Sequence, residues 1–204
     1  MHYRITDEAK TFLKNKDGRM KRLVEQAPTP REYMIDNAFA ALVDIIVGQQ
    51  ISETAKASIK ARLDDAFSPV EKARFKRLNE EDLRQVGLSR MKARTILNLA
   101  KSDIDFDALK EHDKKTIEKT LRAFKGIGRW SVEMFFFVCL RDPNVLSLSD
   151  MGIRNALKTL YDCDDEDLEK YPEYFHPYES AAASYLWTLL DMDKETVKTI
   201  KKDV

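Results

Sequence analysis

Apolar positions recur along this chain at three- and four-residue spacing, and strict alternation of apolar and polar residues is absent. That periodicity predicts helices and no substantial sheet. Phe39, Leu42, Val43, Ile46 and Val47 share one face of a helix over 37–47. Ser52 caps a helix over 53–67, with Ala55, Ile59 and Leu63 along one side. Asn79 with Asp82 opens a short helix that stops at Gly87, and Ser89 caps the next, which carries Ala93, Ile96, Leu97 and Ala100 on one face. Asp113 caps a helix over 114–123. The stretch 130–140 is apolar almost all round, with Phe135, Phe136, Phe137 and Val138 in succession, so it predicts a central buried helix. Helices are expected near 153–161, 165–170 and 178–190, then a charged C-terminal one. Upstream, Thr29-Pro30-Arg31-Glu32 reads as a capping box with proline at the first helical position. The expected fold class is all-α.

With 204 residues and 43% apolar content, the chain can build a real core in one globular unit or two small lobes. A formal net charge of zero gives no global preference for a nucleic-acid partner. The distribution says more. Between Arg84 and Arg129 there are 12 Lys/Arg against 6 Asp/Glu, whereas between Tyr161 and Ser180 there is 1 Lys against 8 Asp/Glu. A basic face on one side fits this asymmetry, and so do two unrelated solvated surfaces. The two cysteines, Cys139 and Cys163, have no metal-ligand spacing, and Cys139 lies in an apolar run, as a buried reduced thiol would. Two cysteines exclude a four-cysteine iron–sulfur cluster. The first residues have no apolar leader pattern, and no apolar run approaches the roughly 20 residues of a membrane span. A soluble, cytoplasmic protein with no metal is the expectation.

The densest local signal is Lys125-Gly126-Ile127-Gly128-Arg129 between two predicted helices. Two glycines flanking an apolar residue allow a tight turn and a close approach to another surface. The helix that follows would point its unbonded N–H groups and positive dipole end out of that turn, an anion site suited to a phosphate. Lys125 and Arg129 would add charge without reading sequence. The same residues also fit an ordinary helix–helix connection in which glycines merely cap. Asp150 lies 21 residues beyond Arg129, after the Asp142-Pro143-Asn144 loop and at the start of another helix. Either Asp150 or Ser149 can cap that helix. A carboxylate there can also stabilise the oxocarbenium character that develops on a sugar when an N-glycosidic bond breaks, and activate water.

Phe124-Lys125-Gly126-Ile127-Gly128-Arg129-Trp130-Ser131, with Asp150 downstream, resembles the helix-hairpin-helix, Gly/Pro-rich loop and Asp signature of the DNA glycosylase superfamily, nearest to its 3-methyladenine DNA glycosylase II branch. Four further segments, in family order, carry the resemblance: Val47-Gly48-Gln49-Gln50-Ile51-Ser52, Gly87-Leu88-Ser89-Arg90-Met91-Lys92-Ala93, Trp130-Ser131-Val132-Glu133-Met134-Phe135 and Ser149-Asp150-Met151-Gly152-Ile153-Arg154. Together they span roughly 35–190, and the ordered set is far more specific than any one motif.

The resemblance implies two helical lobes, 37–141 with the hairpin, and 1–36 joined to 142–204 with the catalytic Asp150, the cleft between them holding Trp130 and Asp150. It implies a monofunctional enzyme that removes alkylated purines from duplex DNA. Relatives that also cut the strand, such as endonuclease III and 8-oxoguanine glycosylase, hold a lysine nucleophile where this chain has Trp130. A flipped, positively charged base calls for aromatic walls, for which Trp130 and Tyr178 are candidates, with Glu133 lining the site or holding a buried network. Tyr185 and Trp187 read more readily as core. Gln50 or Ile51, at an interhelix turn, is the candidate to fill the vacated space in the duplex. Gly126, Gly128, Lys125, Arg129, Arg90 and Lys92 are candidate contacts to the DNA backbone, although Arg90 and Lys92 also fit a solvated helix face.

No organic cofactor is implied, only a possible structural monovalent cation on the hairpin carbonyls, and a monomer is expected. The chain departs from the family at Glu179, where an arginine is usual, and shows no strand pattern for the β domain some members carry. A glycosylase for deaminated or etheno purines, a non-catalytic hairpin module that binds DNA and a helical protein–protein scaffold are the alternatives.

Overall fold

A computed structural model describes residues 5–30 and 33–202. The chain divides into two compact units, Met34–Leu140, and Met1–Tyr33 with Arg141–Val204. Every regular element among the described residues is helical. The chain opens with α1 (Asp7–Lys14) and α2 (Gly18–Gln26). The continuous unit follows with α3 (Ala38–Gly48), α4 (Glu53–Phe67), α5 (Lys72–Phe75), α6 (Glu80–Gln85), α7 (Arg90–Lys101), α8 (Phe106–Leu109), α9 (Lys114–Arg122) and α10 (Arg129–Val138). The discontinuous unit then resumes with α11 (Met151–Tyr161), a 3-10 segment Asp165–Lys170, α12 (Tyr171–Tyr174), α13 (Glu179–Leu190) and α14 (Lys194–Lys201).

The helix starts follow from the caps. Asn37 accepts from the Ala40 N–H, Ser52 from Ala55, Ser89 from Lys92 and Asp113 from Lys115 and Thr116. Asn79 and Asp82 form a reciprocal capping box. Each such cap is worth about 1 kcal/mol. The segment at Thr29-Pro30 departs from the expected helix start: Thr29, Pro30 and 33–36 are irregular, and Arg31 and Glu32 lie outside the described residues. Pro28 holds the residue before it extended, Ala27 at ψ 146°, which ends α2. The stretch 165–170 is a 3-10 helix rather than an α-helix.

The core of the continuous unit is α3, buried from Ala38 to Val47 except at Ala40, with α10, α7 and α4 packed around it. Phe39 meets Phe75 edge-on at 5.4 Å. One charged group sits in this apolar setting. Asp44, 4% exposed, pairs with Lys56 of α4 at 2.9 Å, while Lys60 stands 3.9 Å away. Removing the partner of a buried charge leaves its desolvation uncompensated. Lys56→Met should therefore lower unfolding stability by about 2 kcal/mol, less than for a wholly sequestered pair because Lys60 remains. Urea titration checks this, and Asp44→Asn in the same background should recover most of the loss.

In the discontinuous unit Asp17 ties three elements. It caps α2 through the Met20 N–H at 2.7 Å and accepts the hydroxyls of Tyr161 at 2.9 Å and Tyr174 at 2.8 Å. The Tyr161 and Tyr171 rings stack at 4.8 Å. Burial, then the Asp17 charge, drives the Tyr161 phenol far above its ordinary ionisation range; burial and the bond to Asp17 also raise Tyr174. Below about pH 10 these phenols are protonated in folded and unfolded chains alike, so their contribution is constant. Above it the unfolded chain loses the protons and the folded chain holds them, so stability falls as pH rises. Thermal melts between pH 8 and 11 should show this decline, and Tyr161→Phe should make it shallower.

Candidate functional site

In the continuous unit the hairpin between α9 and α10 is closed by backbone bonds from Phe124 N to Leu121 O and from Ile127 N to Phe124 O. Its two glycines do different things. Gly126 has φ +99°, and a Cβ there would fall 2.2 Å from the Thr95 Oγ1. Gly128 is the N-cap of α10, with extended backbone, no side-chain cap and no heavy atom within 4 Å of where a Cβ would stand. The exposed turn at Gly128 thus presents the start of a ten-residue helix to the surroundings. Lys125 and Arg129 are exposed beside it, Arg129 reaching Glu133 at 2.8 Å. Glu133 and Trp130 are half-buried.

The turn between α3 and α4 packs onto this hairpin. The Gln49 Nε2 donates to the Gly126 carbonyl at 2.9 Å and to the Ser131 Oγ at 2.9 Å. The next residue, Gln50, is exposed and holds the left-handed conformation at φ 54°, whereas Ile51 is half-buried. A non-glycine residue pays about 1 kcal/mol or more for that backbone. Lys92 is not a projecting surface cation. Its ammonium donates to the carbonyls of Val47 at 2.8 Å and Gln49 at 2.7 Å, closing the C-terminus of α3, and burial lowers its pKa. Arg90 and its neighbour Arg94 are exposed and share Glu80, at 3.1 and 2.7 Å. The bond from Arg94 and the charges of both arginines hold the Glu80 carboxyl below its usual range.

In the discontinuous unit Asp150 is the N-cap of α11. Its Oδ1 accepts from the Ile153 N–H at 2.9 Å and from the Trp187 indole N–H at 3.4 Å. Trp187, read from sequence more readily as core, is half-buried with its polar edge on this carboxylate. Tyr185 is in the core, 2% exposed. Gly152 makes room: a Cβ there would lie 2.9 Å from the Asp150 Oδ1 and 3.4 Å from the Trp187 ring. The exposed Leu190 brings its Cδ1 within 3.3 Å of the same Cβ position, and Met151, next in sequence to Asp150, is also exposed.

The loop leading to Asp150 is fastened from α13. The buried Ser180 Oγ donates to the Asp142 carbonyl at 2.6 Å and accepts the Val145 N–H at 3.0 Å, and the Ser180 N–H donates to the Pro143 carbonyl at 2.9 Å. Glu179, in place of the usual arginine, is buried and meets the His176 Nδ1 at 2.9 Å. With its amide nitrogen turned toward it, Asn144 donates to the other Glu179 oxygen at 3.2 Å. Tyr178 is half-buried, its ring 4.9 Å from that of Phe12.

A cavity of about 490 Å³ lies at the other end of α11, between Asp17, Tyr161, Tyr171 and Tyr174. Eleven residues of helix put it roughly 16 Å from Asp150, so it is a separate feature. Among the described residues no cluster of three or more His, Cys, Asp or Glu could hold a metal ion, and no helix is long and apolar enough to cross a membrane. Both cysteines are free thiols, Cys139 buried and Cys163 half-buried.

The sequence is 27% identical to the DNA-3-methyladenine glycosylase of Saccharomyces cerevisiae, over 91% of this chain and 76% of that protein. Among solved structures, DNA-3-methyladenine glycosidase from Bacillus halodurans is 30% identical with a TM-score of 0.69, covering 92% of this chain and 91% of that one. The Schizosaccharomyces pombe 3-methyladenine DNA glycosylase, solved in complex with abasic DNA, superposes with a TM-score of 0.81 at 24% identity, over 91% of this chain and 97% of that one, which establishes the shared fold. The family model for HhH-GPD superfamily base excision DNA repair proteins matches residues 43–176. That match covers more than half of the sequence and both the hairpin and Asp150, and the chain belongs to this family.

Proposed function

We propose that this protein is a DNA-3-methyladenine glycosylase that hydrolyses the N-glycosidic bond of alkylated purines in duplex DNA. The observation that carries the reading is Asp150. It is a half-buried carboxylate oriented by a backbone N–H and an indole N–H, in the segment whose resemblance to the family implies a catalytic aspartate. In this reading Asp150 stabilises positive charge on the sugar as the base departs and directs water to the anomeric carbon. The departing base is already cationic when alkylated, so it needs little help from a general acid. Trp130 and Tyr178 offer ring faces that attract it.

Gly126, Gly128, Lys125 and Arg129 hold the DNA backbone, Arg90 adds a further phosphate contact, and Gln50, rather than the less exposed Ile51, enters the duplex where the base has left. Glu133 keeps Arg129 at the start of α10. With Trp130 where strand-cutting relatives have lysine, no amine is placed for a Schiff base, and the product is an intact strand with an abasic site. The enzyme acts as a monomer in the cytoplasm without an organic cofactor; a monovalent cation on the hairpin carbonyls would be structural.

A panel of duplexes, each with one defined lesion, tests the substrate class. Release of N3-methylated adenine well ahead of deaminated and etheno purines is expected. Preferential release of either of those would move the assignment to the alternative specificity, and binding without release of any base would reduce the protein to a DNA-binding module.

A further inference from the structure

Lys92 and Thr95 lie one turn apart on the same face of α7. Lys92 bonds the Val47 and Gln49 carbonyls, the end of α3 from which the Gln50 turn projects. These carbonyls have no partner within their own helix, and a cation suits that dipole end. Thr95, 3% exposed, has its hydroxyl proton between the Met91 carbonyl at 2.9 Å and the Lys125 carbonyl at 3.0 Å, and its side chain fills the space under Gly126. Gln49 closes the third side by donating to the Gly126 carbonyl. Turn, hairpin and α7 therefore form a closed triangle of hydrogen bonds.

We infer that Lys92 and Thr95 are positioning residues that fix the spacing between the turn carrying Gln50 and the hairpin that grips the DNA backbone. The inference rests on the reading that Gln50 enters the duplex. Two of the three Lys92 donors are turned into the protein, so its work is internal, whereas a phosphate contact would face outward. A wedge is useful only if it stands at a set distance from the point where the backbone is held, and misplacement by an ångström can cost on the order of 100-fold in rate.

Lys92→Met and Lys92→Arg test this in the full chain. Excision is followed in single turnover from a lesion paired in the duplex and from the same lesion opposite an abasic-site analogue, where little stacking or pairing has to be broken. Lys92→Met should lose on the order of 100-fold on the paired lesion and less than about tenfold on the other, and Lys92→Arg should recover most of the difference. The slope of log affinity against log salt should not change. A slope shallower by about 0.9, with both substrates affected alike, would identify a phosphate contact and overturn the inference. So would equal excision by Lys92→Met and wild type.

Amide hydrogen exchange supplies an arm independent of catalysis. Exchange over 48–52 should rise by at least tenfold in Lys92→Met and stay unchanged over 160–174; no rise at 48–52 contradicts the positioning role. If Lys92→Met does not fold, Thr95→Val gives the second reading, with faster exchange over 124–128 expected and unchanged exchange there counting against it. If the wild type releases no base, the proposed function fails, while the exchange result still decides whether Lys92 holds the turn.

Discussion

Asp150→Asn should fold like the wild type, bind duplex DNA with similar affinity and lose base release by on the order of 1,000-fold. The choice of asparagine matters because Asp150 has two jobs. It caps α11 through the Ile153 N–H, and asparagine is as good a cap as aspartate. Its amide oxygen can still receive the Trp187 indole proton. What it lacks is the negative charge that faces a developing oxocarbenium ion. Asp150→Ala would mix the two effects, since loss of the cap alone costs about 1 kcal/mol of stability. Single-turnover excision with thermal melting alongside separates them. Turnover retained by a folded Asp150→Asn protein would remove the carboxylate from the chemistry.

The second large effect is expected at the hairpin, where alanine should weaken DNA binding at both glycines but destabilise the fold strongly at only one. Gly126→Ala places a Cβ on a residue at φ +99° and 2.2 Å from the buried Thr95 hydroxyl. Backbone strain and overpacking together should cost about 2–5 kcal/mol. DNA binding should fall with it, because the turn can relieve the clash only by moving away from α7. Gly128→Ala meets open space on an extended backbone and should cost no more than about 1 kcal/mol. Its methyl group, however, stands where a DNA backbone would approach the start of α10, so affinity should drop by roughly tenfold with stability nearly intact. Chemical denaturation and DNA titration of both variants check the contrast. Equal affinity of Gly128→Ala and wild type would mean that the glycine merely connects two helices.

Much of the helical framework was legible because it is written locally. Ser52, Asn79, Ser89 and Asp113 announce helix starts through side chains that can bond only the next turn, and the observed helices begin there. At Thr29-Pro30 a cap-like pattern stands before irregular chain at 33–36, because a cap can favour a helix start but does not supply the packed apolar face that sustains one. The hairpin and the aspartate were visible as motifs, since glycine and a loop-flanked carboxylate leave a mark in one dimension.

The support around them was not. Trp187 lies 37 residues from Asp150 and reads as one more apolar position on α13; only the folded chain sets its indole against the carboxylate. Thr95 sits in mid-helix with no unusual neighbour, and its bond to the Lys125 carbonyl spans 30 residues. Lys92 reads from sequence as surface charge because its partners are backbone carbonyls 43 and 45 residues away, and carbonyls have no sequence signature.

In the proposed reaction one carboxylate on this helical scaffold helps water to break an N-glycosidic bond. The most direct measurement uses a labelled duplex with a single N-methylated purine, incubated with excess wild type or Asp150→Asn, the released base being quantified and the strand resolved before and after hot alkali. Free base is expected from the wild type alone, with the strand intact until alkali cleaves it at the lesion. A strand nicked before alkali, or equal release by both proteins, would contradict the proposed reaction.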